Sequence, residues 1–109
     1  MAQINIVAII SPKAGKVDRL LELVSQVCQY VKDNEPGTLR YEATCEVNKQ
    51  SGVEQIIMFE TYKDKEALKA HGSSEKFKGF QKMVQDEDLL SEPLLLKFVK
   101  PAGGFSSRL

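Results

Sequence analysis

The stretch GKVDRLLELVSQVCQYVK, residues 15–32, carries the strongest structural signal in this chain. Apolar side chains recur in it every three or four positions, which is the spacing of one face of an α-helix. They are Val17, Leu20, Leu21, Val24, Val27, Cys28 and Val31. The pattern predicts a helix over residues 15–32 with one buried stripe, and the turn Asn-Glu-Pro-Gly at 34–37 ends it.

Directly after this helix the apolar period changes from about 3.6 residues to two. The residues that share one face of the new segment are Leu39, Tyr41, Ala43, Cys45 and Val47. The alternation predicts an antiparallel strand whose one face is buried. Its partner across a loop is VEQIIMFETY, residues 53–62, whose centre is apolar on both faces and therefore favours a central place in the sheet. The first and last strands are predicted at 3–10 and 92–100.

The second helical region is predicted to be broken in two. Asp64 can cap a short helix that runs to His71, and Gly72 would close it in the left-handed conformation. Ser73 or Ser74 then caps another helix, whose buried stripe is formed by Phe77, Phe80, Met83 and Val84. The order βαββαβ predicts an α+β, ferredoxin-like fold with an antiparallel sheet. Helices would cover one face of that sheet, so we expect a second copy to cover the other, as a homodimer.

Composition limits the classes of function. The 109 residues suffice for one domain, placed at 1–100, followed by a flexible C-terminal tail at 101–109. Fifteen basic and fifteen acidic residues cancel, which argues against nucleic acid or anionic lipid as a partner. A signal peptide and a membrane span are not expected, so the protein would not be secreted. Both cysteines are expected as buried free thiols, and neither a metal site nor a nucleotide-binding motif is expected.

His71, the one histidine, is the first candidate for chemistry. It shares a helix face with Ala67 and Leu68, so the imidazole is predicted to point inward, where it could act as a base near neutral pH. A histidine that simply ends its helix is the competing interpretation. Tyr62 could line a pocket or pack in the core, while Asn5 could bind an oxygen atom or lie near solvent.

Three stretches resemble the antibiotic biosynthesis monooxygenase family. They are EPGTLRYE at 35–42, FETYKDKEALKAH at 59–71 and FKGF at 77–80. One departure is Tyr62, which stands where the family usually has tryptophan. The resemblance implies a dimeric α/β barrel with a cavity between the sheet and the broken helix in each subunit. It also implies oxygen chemistry on quinols or polycyclic phenols without metal or flavin.

The leading hypothesis is a cofactor-independent monooxygenase that acts on a small aromatic or polycyclic quinol or phenol with O₂. His71 would be its base, and Asn5 and Tyr62 would orient the substrate. The substrate pocket is predicted from six side chains, namely Tyr41, Met58, Leu68, Phe77, Phe80 and Met83. Two alternatives stay open: a binding module for an apolar ligand, and an isomerase or cyclase of the same superfamily.

The last three residues, Ser107, Arg108 and Leu109, resemble the peroxisomal address of the S-K-L type. If the source is eukaryotic, we expect an import receptor to bind this end, so the protein would be cytoplasmic or peroxisomal. A frayed terminus that matches by coincidence is the alternative, and in a bacterial source the tripeptide would carry no address.

Overall fold

A computed structural model describes residues 2–109 of the chain. The elements in chain order are β1 (Ile4–Ile10), α1 (Val17–Asn34), β2 (Thr38–Cys45), β3 (Ile56–Tyr62), α2 (Lys65–Ser73), α3 (Glu75–Asp86) and β4 (Leu95–Val99). The four strands form one sheet in the order β2-β3-β1-β4, and every neighbouring pair is antiparallel. This is the predicted α+β, ferredoxin-like arrangement, with the second helix divided into α2 and α3. Among these residues no helix is long and apolar enough to cross a bilayer.

The two central strands, β1 and β3, supply the floor of the core. Burial alternates along both strands, so that every second side chain packs under the helices while the others face the open side of the sheet. Helix α1 contributes Leu20, Leu23 and Val24 to the same core. The prediction that β3 is central and apolar on both faces is confirmed by its position between β2 and β1.

The edge strand β2 departs from its predicted pattern. A bulge interrupts its pairing with β3 between Thr38 and Arg40, which changes the side to which the first residues point. Leu39 is therefore 52% exposed, and Val47, which lies beyond the end of the strand, is 97% exposed. Cys45 is also exposed, so the expectation of two buried thiols is wrong for this residue, whereas Cys28 is half-buried. Pure alternation predicted one buried face and could not reveal the bulge.

The break between α2 and α3 depends on two side-chain caps. Asp64 Oδ1 accepts a hydrogen bond from the backbone N–H of Ala67 at 2.9 Å, as predicted. Ser74 leaves the helix in an extended conformation (φ −67°, ψ 147°), and its Oγ accepts from the N–H of Phe77 at 3.1 Å. Gly72 was expected in the left-handed conformation but lies inside α2. An extended serine that caps the next helix makes a left-handed glycine unnecessary.

Gly37 lets the start of β2 approach α2 closely, and this approach sets the position of the site described below. A Cβ atom at Gly37 would lie 2.8 Å from the Cβ of Ala67, and the Gly37 carbonyl accepts from the N–H of Lys63 at 2.9 Å. We therefore expect Gly37→Ala to lower the free energy of unfolding by about 1–3 kcal/mol, because the added methyl group overpacks this contact. Urea unfolding measures the change.

Gly79→Ala is the matched control for this prediction. A Cβ atom at Gly79 meets no other atom within 4 Å, and the residue lies in α3, where alanine is the better helix former. Gly79→Ala should leave the stability unchanged or raise it. Equal urea midpoints for the two variants would show that the contact at Gly37 is not tight.

The end of the chain adds little to the core. Strand β4 is shorter than the predicted 92–100, and all five of its residues are exposed in the single subunit. Residues 101–109 form neither helix nor strand and are exposed throughout.

Candidate active site

A cavity of about 150 Å³ lies between the helices and the buried face of the sheet. Five of the six predicted pocket residues line it: Tyr41, Met58, Leu68, Phe77 and Phe80. His71, Tyr62 and Glu60 also reach it, together with apolar residues of β1, α1 and the start of β4. The walls are thus mainly apolar, with a small group of polar side chains.

His71 points inward from the last turns of α2 and is only 4% exposed. Its ring lies among three aromatic rings. The centroid distances are 5.1 Å to Tyr41, 5.6 Å to Tyr62 and 4.8 Å to Phe77. The imidazole is therefore held by packing as well as by hydrogen bonding, and it has little freedom to turn.

Glu35, at the end of α1, is the hydrogen-bond partner of this histidine. Its Oε1 lies 2.9 Å from His71 Nδ1 and also accepts from the Thr38 hydroxyl at 3.2 Å. A carboxylate oxygen accepts hydrogen bonds, so a ring that donates from Nδ1 keeps its lone pair on Nε2. Within residues 2–109, the hydrogen bond of the His71 ring is the one at Nδ1, and the buried side-chain atom left without a partner is Glu35 Oε2. The ring thus keeps one nitrogen free to accept a proton, and His71 is among the residues that line the cavity.

Glu60 and Tyr62 form a second polar pair, on β3. The Tyr62 hydroxyl donates to Glu60 Oε1 at 2.7 Å, and the Glu60 side chain is almost fully buried. Burial raises the pKa of the Glu60 carboxyl, while the Tyr62 hydrogen bond and His71 act in the opposite direction. Burial, and next the charge of Glu60, also raise the pKa of the Tyr41 and Tyr62 phenols. Both tyrosines therefore remain neutral hydrogen-bond donors.

The raised pKa of Glu60 predicts a pH-dependent cost in stability. The folded protein holds the Glu60 proton more tightly than the unfolded chain, where the pKa is close to 4.5, so stability falls as pH rises above that value and through the folded pKa. Glu60→Gln removes the titration and keeps an oxygen to accept from Tyr62. We expect the free energy of unfolding of the variant, relative to that of the native protein, to increase from about pH 4 to about pH 8. Urea unfolding at both pH values measures this difference.

Glu92→Gln provides the control, because Glu92 is exposed and its removal should not change the pH dependence. The difference in free energy of unfolding between Glu60→Gln and the native protein could instead stay constant with pH. That result would mean that the pKa of Glu60 is the same in the folded and the unfolded chain.

Two predicted site residues lie elsewhere. Asn5 is on the open face of the sheet, because Ile6 and its alternate neighbours on β1 face the helices, and Asn5 Oδ1 accepts from the Thr61 hydroxyl at 2.8 Å. The sheet separates Asn5 from His71, so the predicted orienting contact is absent within one subunit. Met83 is 40% exposed and faces a groove between α1 and α3, so its assignment to the pocket is wrong. On α3, Phe80 occupies the position nearer the cavity.

Sequence reasoning did not assign Glu35 or Glu60 to the site. Glu60 could have been found, since it alternates with Met58 and Tyr62 and thus takes an inward position on a buried strand. Glu35 and His71 are 36 positions apart, and no local pattern connects them.

The polar side chains of the site form pairs, not a metal centre. Among residues 2–109, no three side chains of His, Cys, Asp or Glu are placed to bind one metal ion together. The two pairs are His71 with Glu35 and Tyr62 with Glu60, and three of these four residues, His71, Tyr62 and Glu60, line the cavity.

Comparison with known proteins gives a consistent result. Residues 3–83 match the family model of the antibiotic biosynthesis monooxygenases. A provisionally named antibiotic biosynthesis monooxygenase from Caulobacter crescentus superposes with a TM-score of 0.77 at 24% identity, over 93% of this chain and 91% of that one. Rv0793 from Mycobacterium tuberculosis superposes with a TM-score of 0.79 at 21% identity, over 96% of this chain and 100% of that one. PA3566 from Pseudomonas aeruginosa superposes with a TM-score of 0.79 at 20% identity, over 94% of this chain and 97% of that one. No curated protein sequence matches significantly.

Proposed function

The chain belongs to the antibiotic biosynthesis monooxygenase family, and on this premise we propose that it oxidises a small hydroxylated aromatic compound with O₂. Family membership supports a monooxygenase-like or ligand-binding role. The observation that carries the finer proposal is the buried His71, whose Nδ1 is held by Glu35 while its ring lines an apolar cavity. Such a cavity can exclude water from a bound aromatic ring and present one oriented base to its hydroxyl group.

The first step of the proposed reaction is proton transfer. Nε2 of His71 accepts the proton of the substrate hydroxyl, and the resulting imidazolium is stabilised by the adjacent Glu35 carboxylate. The substrate becomes a phenolate, which is electron-rich enough to reduce O₂ itself. Glu60 in its protonated form has an O–H to donate to the substrate oxygen, and Tyr62 holds that carboxyl in place.

The second step is oxygen transfer, and its atoms and electrons balance without a further reductant. A phenol with a free ring position and one O₂ give a quinone and one water. One oxygen atom forms a bond to the ring carbon, the other leaves as water, and the ring supplies all four electrons. The departing oxygen takes the proton held on His71 and the hydrogen that the oxygenated ring carbon loses, so it leaves as water and the neutral base is restored.

Oxygen uptake with a panel of phenols and hydroquinones tests this function against its rivals. A monooxygenase consumes O₂ in step with product and is inactive when O₂ is removed. Anaerobic turnover would indicate an isomerase or cyclase. Saturable binding with no product under either condition would leave a binding module, and either result would overturn the proposal.

We also propose that two copies pack through the open faces of their sheets. Leu95 and Val99 are 48% and 46% exposed, and their register with Ile9 and Asn5 places them on that face. Phe59 is half-buried there under the Arg40 guanidinium, 5.0 Å from the ring centroid. Sedimentation equilibrium at micromolar concentration should give a dimer, since a stable interface of about 1,000 Å² or more needs such an apolar surface.

Leu95→Glu should convert the dimer to a monomer, because it buries a charge in the proposed interface. Met83→Glu, on an exposed position of α3, is the control and should remain dimeric. A native protein that sediments as a monomer, or a Leu95→Glu variant that stays dimeric, would contradict this assembly.

A further inference from the structure

We propose that the natural substrate has a single aromatic ring and carries an apolar chain opposite its hydroxyl group. The ring would occupy the cavity, and the chain would leave past Phe80 into a groove between α3 and the start of β4. This inference rests on the proposed function and specifies its substrate class.

The volume of the cavity limits the ring system. An apolar cavity of roughly 150 Å³ accommodates a benzene-sized molecule. The cavity beside His71 has about this volume. Fused rings are rigid and add several carbon atoms in one plane, so they need more room than one ring. A hydroxylated single ring therefore fits the cavity better than the polycyclic compounds considered from the sequence.

The polar groups lie at one end of the cavity, and this determines the orientation of the ring. Glu60 is opposite Ile6 in the pairing of β3 with β1, whereas Ile56 is opposite Ile10. Ile6 and Ile10 both line the cavity and are four positions apart on β1. Their Cα atoms are therefore separated by roughly 13 Å, at about 3.3 Å per residue along a strand. A hydroxyl group bound at the Glu60 end thus leaves the other end of the molecule near Ile10.

The end near Ile10 adjoins a second space. A groove of about 610 Å³ shares Ile10, Phe80 and Leu94 with the cavity. Its floor continues with apolar side chains, including Val84 and Leu90. A flexible apolar chain attached opposite the hydroxyl group can follow this path from the cavity to the groove.

An aromatic row connects the two spaces along α3. The centroid of the Phe77 ring lies 4.8 Å from that of the His71 ring and 6.0 Å from that of the Phe80 ring. The Phe77 and Phe80 rings are stacked. Phe80 lines both the cavity and the groove. One wall from the base to the groove is therefore aromatic, which suits a planar ring followed by an apolar chain.

Calorimetric titration under anaerobic conditions tests this inference independently of turnover. The probes are phenol, 4-hexylphenol and 2-hydroxyanthracene. We expect 4-hexylphenol to bind at least about tenfold more tightly than phenol, because each methylene buried in the groove adds favourable transfer free energy. The anthracene compound should bind no more tightly than phenol, because its fused rings exceed the cavity.

Gln85→Trp locates the chain. Gln85 lines the groove but not the cavity and is exposed, so the bulky ring should fill the groove without affecting the fold. The variant should lose the preference for 4-hexylphenol and keep its affinity for phenol. Lys69→Trp, a substitution at an exposed position of α2, should keep both the preference for 4-hexylphenol and the affinity for phenol.

Three results would overturn the inference: no binding of any probe, tighter binding of 2-hydroxyanthracene than of 4-hexylphenol, or an unchanged chain preference in Gln85→Trp. A chain preference in a protein that never consumes O₂ would support the inference about the ligand and refute the proposed oxidation.

Discussion

His71→Asn should reduce turnover of a phenolic substrate by about two to four orders of magnitude while the protein stays folded. The asparagine amide nitrogen takes the place of Nδ1 and can still donate to Glu35, but no base remains at the position of Nε2. The decrease should therefore appear in kcat, measured by oxygen uptake at saturating substrate. Thermal unfolding should differ little from that of the native protein.

His71→Ala separates the structural role of the residue from its chemical one. It removes the base and also leaves the buried Glu35 carboxylate without its nitrogen donor. We expect the same loss of turnover together with a destabilisation of about 3 kcal/mol or more, because removal of one partner of a buried pair is costly. A His71→Asn protein with native kcat would show that His71 is not the base.

Glu35→Gln should lower kcat about a hundredfold or more and leave KM nearly unchanged. The amide keeps the size and one acceptor oxygen of the carboxylate but lacks the negative charge that stabilises the imidazolium formed during the reaction. Thr38→Val is the graded comparison. It removes only the hydroxyl that donates to Glu35 and should cost at most about tenfold, the effect of one hydrogen bond.

The double variant His71→Asn, Glu35→Gln decides whether Glu35 acts through His71. If it does, the double variant should be no slower than His71→Asn alone, because the two residues then act as one unit. Multiplicative losses would indicate that Glu35 contributes to the reaction by a separate route. Native kcat in Glu35→Gln would exclude the proposed stabilisation of the imidazolium.

Much of the fold followed from periodicity, and the exceptions have local causes. The helical stripe at 15–32 predicted α1, which spans Val17–Asn34, and the two-sided apolar run in β3 correctly indicated a central strand. The resemblance to the family, first based on three short stretches, is confirmed by the match over residues 3–83. Strand β2 was predicted in the right place and pairing, but the burial of Leu39 was not, because a bulge shifts the register between Thr38 and Arg40.

The residues of the site were predictable only where neighbouring residues in the sequence determine whether a side chain points into the core. Ala67 and Leu68 indicated the inward face of α2, and His71 does lie in the cavity; its chemistry stays a prediction. Asn5 was misplaced because one polar residue in a short apolar strand does not reveal which face it takes. The His71–Glu35 pair joins elements distant in the chain, and it forms where the turn after α1 approaches α2 closely, at Gly37 and Ala67.

The most direct test of the account is the mass of the product formed under ¹⁸O₂ by the native protein and by His71→Asn. We expect the native product to carry one ¹⁸O atom per molecule, with the second atom recovered in water, and His71→Asn to form little product. A parallel reaction in H₂¹⁸O under ordinary O₂ corrects for exchange of quinone oxygens with solvent. Unlabelled product, or equal formation of labelled product by the two proteins, would contradict a monooxygenase whose base is His71.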